Sequence, residues 1–360
     1  MKLIGKLLAF PILTVNILTA LLLIFSCYGS LAAPIGRWPF ASLSGLAFPY
    51  LFLINLLFLI FWLMTWKKGA IVPAVTFLIC LMPTLSYYPL HFFKSRHVTE
   101  PYITLVTYNT ENFGLKTNKE WTLENPALKH ILEYDADIIL LQEATQDIMN
   151  KISGNGPITA RYPYVSVPKG INDVAYMSRF PVILTENISF ENSGNGCLYM
   201  TVLVDSDTLA VYNCHLQSNQ LNASELSEYR KFIEHPTDST HYKASKRVLK
   251  KLLQSTSQRA EQARMIAEKA RNEKARYMIV CGDFNDTPLS YSHRVFGQFM
   301  QDAFARSGAG AGITYHEHKL HYRIDHIFCS NNITPLHTWV DRSNKESDHY
   351  PVISKIQFQK

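Results

Sequence analysis

Short clusters of polar residues stand at the ends of apolar, strand-length runs at six places between residues 100 and 360. Carboxylates and imidazoles appended to buried strands are costly unless they are paired or bind a metal ion. Any one cluster alone is also compatible with an ordinary turn, but strand ends are where α/β folds gather functional groups. The six clusters together predict one shared site with eight candidate side chains: Asn109, Glu143, His215, Asp283, Asn285, Asp325, Asp348 and His349.

The residue types in these clusters indicate which reaction they could support. Carboxylate and amide side chains dominate the set, and their hard oxygen atoms suit Mg²⁺ or Mn²⁺ rather than zinc. His215 and His349 can contact or protonate phosphate oxygens. No serine or cysteine lies in a plausible nucleophile motif, and none of the six cysteines has zinc-type spacing, so we expect buried free thiols. The hypothesis that follows is metal-assisted attack of water on a phosphoester.

Apolar runs of strand length alternate with helical patterns from residue 103 onward. Strands are predicted at residues 103–108, 137–141, 175–178, 198–204, 209–214, 277–281 and 324–329. Helices are predicted at residues 125–134 and over the long stretch 243–276, where leucine and alanine recur at helical spacing. Strands interspersed with helices predict a layered α/β architecture.

The charges divide the chain into two unlike parts. Residues 1–97 contain seven Lys or Arg residues and no Asp or Glu, so all 29 acidic residues lie in residues 98–360. The formal net charge of +6 is therefore +7 on the first part and −1 on the second. We predict an N-terminal anchor over residues 1–97 and a catalytic domain over 98–360. A near-neutral domain argues against a generally basic surface that would grip nucleic acid non-specifically.

Three apolar segments in the first part, residues 7–31, 46–66 and 70–88, contain no charged residue. Each is close to the roughly 20 residues that a helix needs to cross a bilayer. Trp and Tyr residues lie near the segment ends, as is typical of the headgroup zone. We therefore predict three transmembrane helices. Pro73 and Pro83 fall inside the third segment, which a membrane helix tolerates.

Basic residues predict the orientation of these helices. Lys2 and Lys6 precede the first segment and Lys67 and Lys68 follow the second, which places both groups on the cytoplasmic side. Three spans then place the catalytic domain on the extracytoplasmic side of a multi-pass protein, of the kind found in a bacterial inner membrane. Lys94 and Arg96 oppose this assignment weakly. A cleaved signal peptide ending near Ala32 is an alternative for the first segment only.

The order of the clusters resembles the motifs of the endonuclease/exonuclease/phosphatase superfamily. The matching motifs are T-x-N at 107–109, Q-E at 142–143, S-R-F-P at 178–181, N-x-H-L at 213–216, R-x-x-Q-A at 259–263, G-D-F-N at 282–285, R-I-D-H-I at 323–327 and S-D-H-Y-P at 347–351. The superfamily includes DNase I-like nucleases, abasic-site endonucleases, sphingomyelinases and inositol-polyphosphate phosphatases. The resemblance covers roughly residues 102–358. It implies a four-layer α/β sandwich of two packed mixed β-sheets flanked by helices.

The resemblance also implies how the site binds metal and water. Glu143 would be the principal ligand of Mg²⁺ or Mn²⁺, with Asn109 beside it and Asp348 near the metal, directly or through water. Asp283 would orient or deprotonate the attacking water. Asn285 would hold this water or the phosphate.

The two histidines receive different roles from the resemblance. His349 would donate to the scissile phosphate, and Asp325 would fix its tautomer. His215 matches a histidine that some members use near the leaving group, which makes it the candidate general acid.

One residue departs from the family pattern. Asp173 stands where many members have a glycine, just before the apolar run that ends at Pro181. In the family this position is near the substrate cleft, so the departure puts an inherited substrate assignment in doubt. Asp173 could contact substrate or a histidine, or it could be a surface loop residue.

The substrate stays open at this point. The predicted partners are a phosphoester substrate, either nucleic acid or a phospholipid or other small phosphodiester, and the membrane through the N-terminal helices; no protein partner is predicted. A basic run at residues 243–251 could meet anionic headgroups or a phosphate backbone, or could be a solvated helix face. A non-catalytic, membrane-tethered binding or scaffold homologue is the alternative to an enzyme.

Overall fold

Two six-stranded β-sheets, each with parallel and antiparallel neighbours, form the centre of residues 101–359. The computed structural model describes residues 2–32, 39–65, 68–91, 101–114, 122–166, 173–219, 224–225, 227, 242–317 and 321–359. The first sheet contains β1 (Ile103–Asn109), β2 (Ile138–Gln142), β3 (Tyr164–Val165), β4 (Ala175–Ser178), β11 (Ile333–Val340) and β12 (Val352–Phe358). The second contains β5 (Val182–Ser189), β6 (Gly196–Val204), β7 (Asp207–His215), β8 (Tyr277–Asp283), β9 (Gln301–Asp302) and β10 (Asp325–Cys329).

Helices cover the outer face of each sheet. Apart from a single turn at Glu111–Gly114, the helices described in this two-sheet part are α6 (Pro126–Glu133), α7 (Gln146–Ser153), α8 (Gly156–Arg161), α9 (Tyr242–Arg271), α10 (Tyr291–Gly297) and α11 (Ala303–Ser307). Helices α6, α7 and α8 pack on the first sheet, and α9 and α10 pack on the second. The result is the four-layer α/β sandwich that the resemblance implied.

The sandwich is held by side chains that alternate along the central strands. In β1, Leu105 faces the space between the sheets, whereas Val106 faces the helices on the outer side. In β8, Ile279 and Val280 divide in the same way. Both faces are buried, as expected for near-continuous apolar runs in central strands. Each fully buried side chain of this size contributes about 1.5–3 kcal/mol by leaving water.

The strand directions bring the ends of the central strands to one edge of the sandwich, here named the site edge. β1 runs parallel to β2, and β7 runs parallel to β8, so these four strands end there. β10 and β12 are antiparallel to β8 and β1 and therefore begin at the same edge. The register pairs Asn109 with Gln142 and Asp283 with both His215 and Asp325.

Residues 2–91 form the apolar segment. Its described residues contain five α-helices: α1 (Lys2–Tyr28), α2 (Pro39–Leu43), α3 (Phe48–Met64), α4 (Ile71–Ile79) and α5 (Leu81–Tyr87). Two stretches, Phe10–Leu31 and Phe40–Met64, are long and apolar enough to cross a bilayer. The third predicted span is a helix pair bent by 63° at Cys80, which makes three candidate spans if the pair counts as one. Pro83 explains the bend, because it cannot donate to the carbonyl of Ile79 and its ring clashes there.

Polar residues within the apolar helices find partners on the neighbouring helix. Trp62 Nε1 donates to Asn16 Oδ1 at 3.0 Å. Asn55 Nδ2 donates to the carbonyl of Thr19 at 3.1 Å. Such hydrogen bonds between helices give polar groups a partner that an apolar environment does not supply.

Candidate active site

Asn109 joins two carboxylates at the centre of the site edge. Its amide Nδ2 lies 3.0 Å from Glu143 Oε1 and 3.0 Å from Asp283 Oδ2. Asn109 ends β1 in the first sheet and Asp283 ends β8 in the second, so this amide bridges the two sheets. Its oxygen accepts from the backbone N–H of Glu111 at 3.1 Å. An amide flip would turn that oxygen toward the carboxylates instead.

Two histidines complete the group around Asp283. His349 Nδ1 lies 2.8 Å from Asp325 Oδ2, and its Nε2 lies 3.8 Å from Asp283 Oδ2. His215 Nε2 lies 3.7 Å from both Glu143 Oε1 and Asp283 Oδ2 and has no hydrogen-bond partner although it is buried. All of these side chains are buried except Glu143, whose side chain is 35% exposed and opens the group to solvent.

Burial and neighbouring charges shift the pKa values of the central pair. Burial raises the pKa of Asp283 to about 6, with a further rise from the Asp325 carboxylate, although His349 and His215 act in the opposite direction. Burial alone would lower the pKa of His349, but the carboxylates of Asp325 and Asp283 raise it well above its ordinary value. The site therefore contains a carboxyl group, Asp283, whose pKa is close to neutral pH, beside the protonated imidazole of His349.

Left-handed backbone conformations position two of the candidate residues. Glu143 has φ of 52° and Asn285 has φ of 51°. Such conformations cost of order 1–3 kcal/mol and cluster at functional sites. Asn285 is held by its backbone N–H to Asp283 Oδ1 at 2.7 Å and by its amide to the carbonyl of Leu216 at 3.0 Å.

Gly282 is required for the close approach of β7 and β8 just before Asp283. Its φ is 122°, and a Cβ at this position would lie 2.0 Å from the carbonyl oxygen of Cys214. A side chain would therefore push apart the two strands that end in His215 and Asp283.

A buried amide pair fixes the two strands from opposite sheets that end at the site. Gln142 Nε2 donates to Asn213 Oδ1, and Asn213 Nδ2 donates to the carbonyls of Leu141 and Ala175. Glu143 follows Gln142, and His215 lies two residues beyond Asn213. The amide pair thus sets the distance between Glu143 and His215.

The R-x-x-Q-A motif on α9 supports the loops that surround the site. Arg259 is buried and donates to the carbonyl of Gln217 at 2.9 Å, and its Nε lies 3.4 Å from Asp286 Oδ2. Gln262 Oε1 accepts from the backbone N–H of Gln217 at 2.8 Å. This motif supports the segments that follow β7 and β8. It contacts residues next to the candidate group and is not itself part of that group.

Asp348 directly precedes His349 in the chain but has contacts of its own. Its backbone N–H donates to Glu111 Oε2 at 3.1 Å, and Ser347 Oγ lies 3.4 Å from its Oδ1. Its carbonyl accepts from the backbone N–H of His316 at 3.1 Å. The structure therefore brings seven of the eight candidates into one group and places Asp348 beside it.

Two further residues belong to the site. Asp173, the departure from the family pattern, lies next to Glu143: its carbonyl accepts from Ala144 N at 3.0 Å. Burial and the Glu143 charge raise the pKa of Asp173. Tyr315 was not predicted; its ring meets His349 edge-on with centroids 5.2 Å apart. No motif in the sequence marks it, because its position depends on backbone bridges to Tyr322 and His349.

The donor set fits a hard divalent cation. Two carboxylates from different sheets meet at one amide nitrogen, and like charges this close are costly without a compensating cation. The buried, unpartnered His215 Nε2 faces the same two carboxylates. Residues that could hold Mg²⁺ or Mn²⁺ here are Glu143 and, with its amide flipped so that the oxygen faces the carboxylates, Asn109.

A model of the Endonuclease/Exonuclease/phosphatase family matches residues 106–349. A model described as a domain of unknown function (DUF8431) matches residues 6–87. A comparison with curated proteins found no match.

Solved structures share the fold. D. rerio TDP2 complexed with single-strand DNA product is similar at a TM-score of 0.52 and 16% identity, over 72% of this chain and 100% of that chain. The endonuclease/exonuclease/phosphatase from Beutenbergia cavernae DSM 12333 is similar at a TM-score of 0.51 and 15% identity, over 72% of each chain. The family model covers most of the chain, and these structures show the same two-sheet fold. The chain belongs to the endonuclease/exonuclease/phosphatase family of phosphoester hydrolases.

Proposed function

We propose that this protein is a divalent-metal-dependent hydrolase that breaks phosphoester bonds by attack of water. The observation that supports this most strongly is the convergence of Glu143, Asp283 and His349 around Asn109. These residues come from three separate segments of the chain, and only the packing of the two sheets joins them. Glu143, Asn109 and, through water, Asp348 would hold the cation.

The cation, when bound, neutralises charge on the phosphate oxygens. Asp283 orients the attacking water and accepts a proton from it, a role that a carboxylate with a pKa of about 6 performs near neutral pH. Asn285, whose backbone is fixed on Asp283, holds the same water or a phosphate oxygen. Both groups are buried or half-buried, so their charges act with little screening by solvent.

His349 stabilises the charge that develops on the phosphate. Asp325 accepts from Nδ1, and because the pKa of His349 is raised well above its ordinary value the ring also carries a proton on Nε2, which points toward Asp283 and the cleft. A preorganised charged donor of this kind is typically worth about 10²–10³ in rate. His215, whose Nε2 lies 3.7 Å from the same Asp283 oxygen, is the candidate that donates a proton to the leaving oxygen.

The apolar segment would anchor the enzyme in a membrane, with the boundary between anchor and catalytic domain near residue 97. The ends of α1 at Tyr28 and α5 at Tyr87 and the start of α3 at Phe48 all lie beside the two-sheet part. Lys68 lies at the opposite ends of α3 and α4. Basic residues favour the cytoplasmic side, so we place the catalytic domain on the extracytoplasmic side.

A substrate panel on the purified full chain tests the proposed function. The panel contains bis(p-nitrophenyl) phosphate, single- and double-stranded DNA, RNA, sphingomyelin and inositol phosphates, each with Mg²⁺, with Mn²⁺ and with EDTA. We expect hydrolysis that requires the metal and is lost in Glu143→Ala. Glu186→Gln is the matched control. Glu186 is an exposed glutamate on the edge strand β5, where it pairs with Lys269 of α9. Absence of metal-stimulated hydrolysis across the panel would favour a scaffold.

A further inference from the structure

The apolar helices contact the two-sheet part through specific hydrogen bonds at their ends. Arg323 Nη2 donates to the carbonyl of Ser86, near the end of α5, at 2.7 Å. Arg294 Nε donates to Ser30 Oγ at 3.3 Å, just after α1. These contacts tie the two-sheet part to the ends of two apolar helices.

An apolar contact reinforces the same junction. Leu289 packs with Cys27, Phe48 and Tyr87, which come from three different apolar helices. Gly45, between α2 and α3, lies so close to Leu289 that an added Cβ would meet the Leu289 Cβ at 3.2 Å. The two parts are therefore packed together and not merely joined by a linker.

The contacting residues belong to the two segments that flank the site. Leu289 and Arg294 follow Asn285 by four and nine residues along the chain. Arg323 precedes Asp325 by two residues. Both segments leave or enter the sheet at the site edge, so the site and the helix contacts share one edge of the sandwich.

A backbone connection continues from this junction to the catalytic histidine. Tyr322 pairs with Tyr315 in an antiparallel bridge, and Tyr315 forms a second bridge with His349. The hydroxyl of Tyr322 also donates to the carbonyl of Leu46, at 3.4 Å. His349 is thus two bridges away from a residue that contacts the apolar segment.

Helix α9 adds a basic face next to the apolar segment. Lys246, Arg247 and Lys250 are exposed near its start, and Leu249 between them is 41% exposed. The same helix packs against α2, at the start of the second apolar stretch. Exposed cations with an apolar residue between them suit the surface of an anionic bilayer.

We propose that the substrate is a phospholipid in the bilayer that holds the apolar helices. This inference rests on the proposed function and narrows its substrate class. Water oxygen forms a bond to the lipid phosphorus, and one phosphorus–oxygen ester bond breaks. One proton of the water ends on the leaving alcohol oxygen and the other is released as the new phosphomonoester ionises, so a phosphodiester and water give a phosphomonoester and an alcohol.

The test compares matched substrates on the full chain in nanodiscs with Mg²⁺. The lipids are phosphatidylglycerol, phosphatidylethanolamine and phosphatidylcholine in the same disc as the protein. Their soluble counterparts are the glycerophosphodiesters with the same headgroups, and a single-stranded oligonucleotide is included. We expect at least one lipid to be hydrolysed about tenfold or more faster than its soluble counterpart, because substrate and site share one surface.

Charge reversal on the basic face supplies the second readout. Lys246→Glu/Lys250→Glu should lower the rate on the lipid several-fold and leave the rate on bis(p-nitrophenyl) phosphate unchanged. Lys129→Glu/Lys274→Glu, which changes two exposed lysines outside the basic start of α9, is the matched control and should change neither rate. An unchanged lipid rate in the first variant would contradict the contact between this face and the bilayer.

Two other outcomes distinguish a failure of the lipid assignment from a failure of the proposed function. Hydrolysis of the soluble diesters or the oligonucleotide at the lipid rate or above overturns the lipid assignment and leaves a metal-dependent phosphoesterase. Absence of hydrolysis of every substrate, bis(p-nitrophenyl) phosphate included, overturns both.

Discussion

His349 is held between two carboxylates, with Nδ1 2.8 Å from Asp325 Oδ2 and Nε2 3.8 Å from Asp283 Oδ2. The first carboxylate fixes the ring and its tautomer, and the second lies where the attacking water would be bound. The arrangement keeps an acid and a base side by side in a buried site, because each charge stabilises the other. The predictions below depend on this relationship and on the neighbouring Asn109 contacts.

Replacing Asp325 by Asn should disable the site without removing a metal ligand. An Asn amide carries no negative charge to stabilise the imidazolium, and if its N–H₂ donates to Nδ1 the ring keeps a proton on Nε2 but loses its positive charge. We expect kcat on bis(p-nitrophenyl) phosphate to fall by about 10²–10³ while KM changes little, because a charged donor to the phosphate is lost. A fall in kcat of less than tenfold would contradict the assigned role of Asp325.

The pH dependence of kcat/KM should be bell-shaped. Activity should rise as Asp283 loses its proton, at or below pH 6, because its pKa is about 6 and a bound cation favours the carboxylate further. Activity should fall at high pH, where His349, with its raised pKa, loses its proton. In Asp325→Asn the residual activity should begin to fall at lower pH, because one carboxylate that raises the His349 pKa is gone. A high-pH limb that is the same in both proteins would contradict this.

Metal removal should abolish activity reversibly. EDTA treatment of the full chain should lower turnover to background, and Mg²⁺ or Mn²⁺ should restore it. Glu143→Gln keeps the size of the side chain but loses the charge, so we expect the metal concentration for half-maximal activity to rise by about tenfold or more. Glu186→Gln should leave it unchanged. Equal metal concentrations for half-maximal activity in the two variants would show that Glu143 is not a metal ligand.

Gly282→Ala should destabilise the fold strongly. The Cβ would overlap the carbonyl of Cys214, and φ of 122° is unfavourable for alanine. A loss of roughly 4 kcal/mol in the free energy of unfolding is expected, which corresponds to a fall in Tm of roughly 10 °C. Gly297→Ala is the control, because nothing lies within 4 Å of the Cβ that it adds at the end of α10. Similar Tm values for the two variants would show that β7 and β8 can separate without cost.

The orientation in the membrane can be tested with reporter fusions. A fusion after residue 95 should give activity with a reporter that functions only outside the cytoplasm, and a fusion at Lys68 should give activity with a cytoplasmic reporter. The reverse pattern would place the catalytic domain in the cytoplasm.

Most central strands could be predicted from sequence because their residues are apolar and β-branched on both faces. The structure extends 277–281 to Asp283 and begins the strand of 209–214 at Asp207, a shift of two residues in each. β5 was not predicted, since its residues from 183 to 187 are exposed and show no alternation. β11 was also not predicted; Pro335 interrupts it at a bulge, which is possible because β11 is an edge strand.

Helix ends depended on local contacts that the pattern does not reveal. The long helix was predicted to reach Arg276 but ends at Arg271. Glu273 Oε1 accepts from the backbone N–H groups of Lys274 and Ala275, which forms a turn in place of the next helical turn. The third apolar stretch was predicted as one span; the structure keeps it helical but bends it at Cys80, which the pattern did not reveal.

The site was predictable as a set of residue types but not as a geometry. Motif order identified the candidates, because each stands at a strand end. The contact of Asn109 with Asp283, 174 residues away in sequence, depends on how the two sheets pack. The same holds for Tyr315, whose place beside His349 is set by backbone bridges.

Locating the bound metal tests the central claim most directly. Crystals of the full chain grown with Mn²⁺ should show an anomalous difference peak about 2.1 Å from a Glu143 carboxylate oxygen, within the group formed with Asn109 and Asp283. The buried cluster of His293, Asp302 and His326 offers an alternative place for a metal. A peak at that cluster with none at Glu143 would contradict the assignment of the metal and, with it, the proposed mechanism.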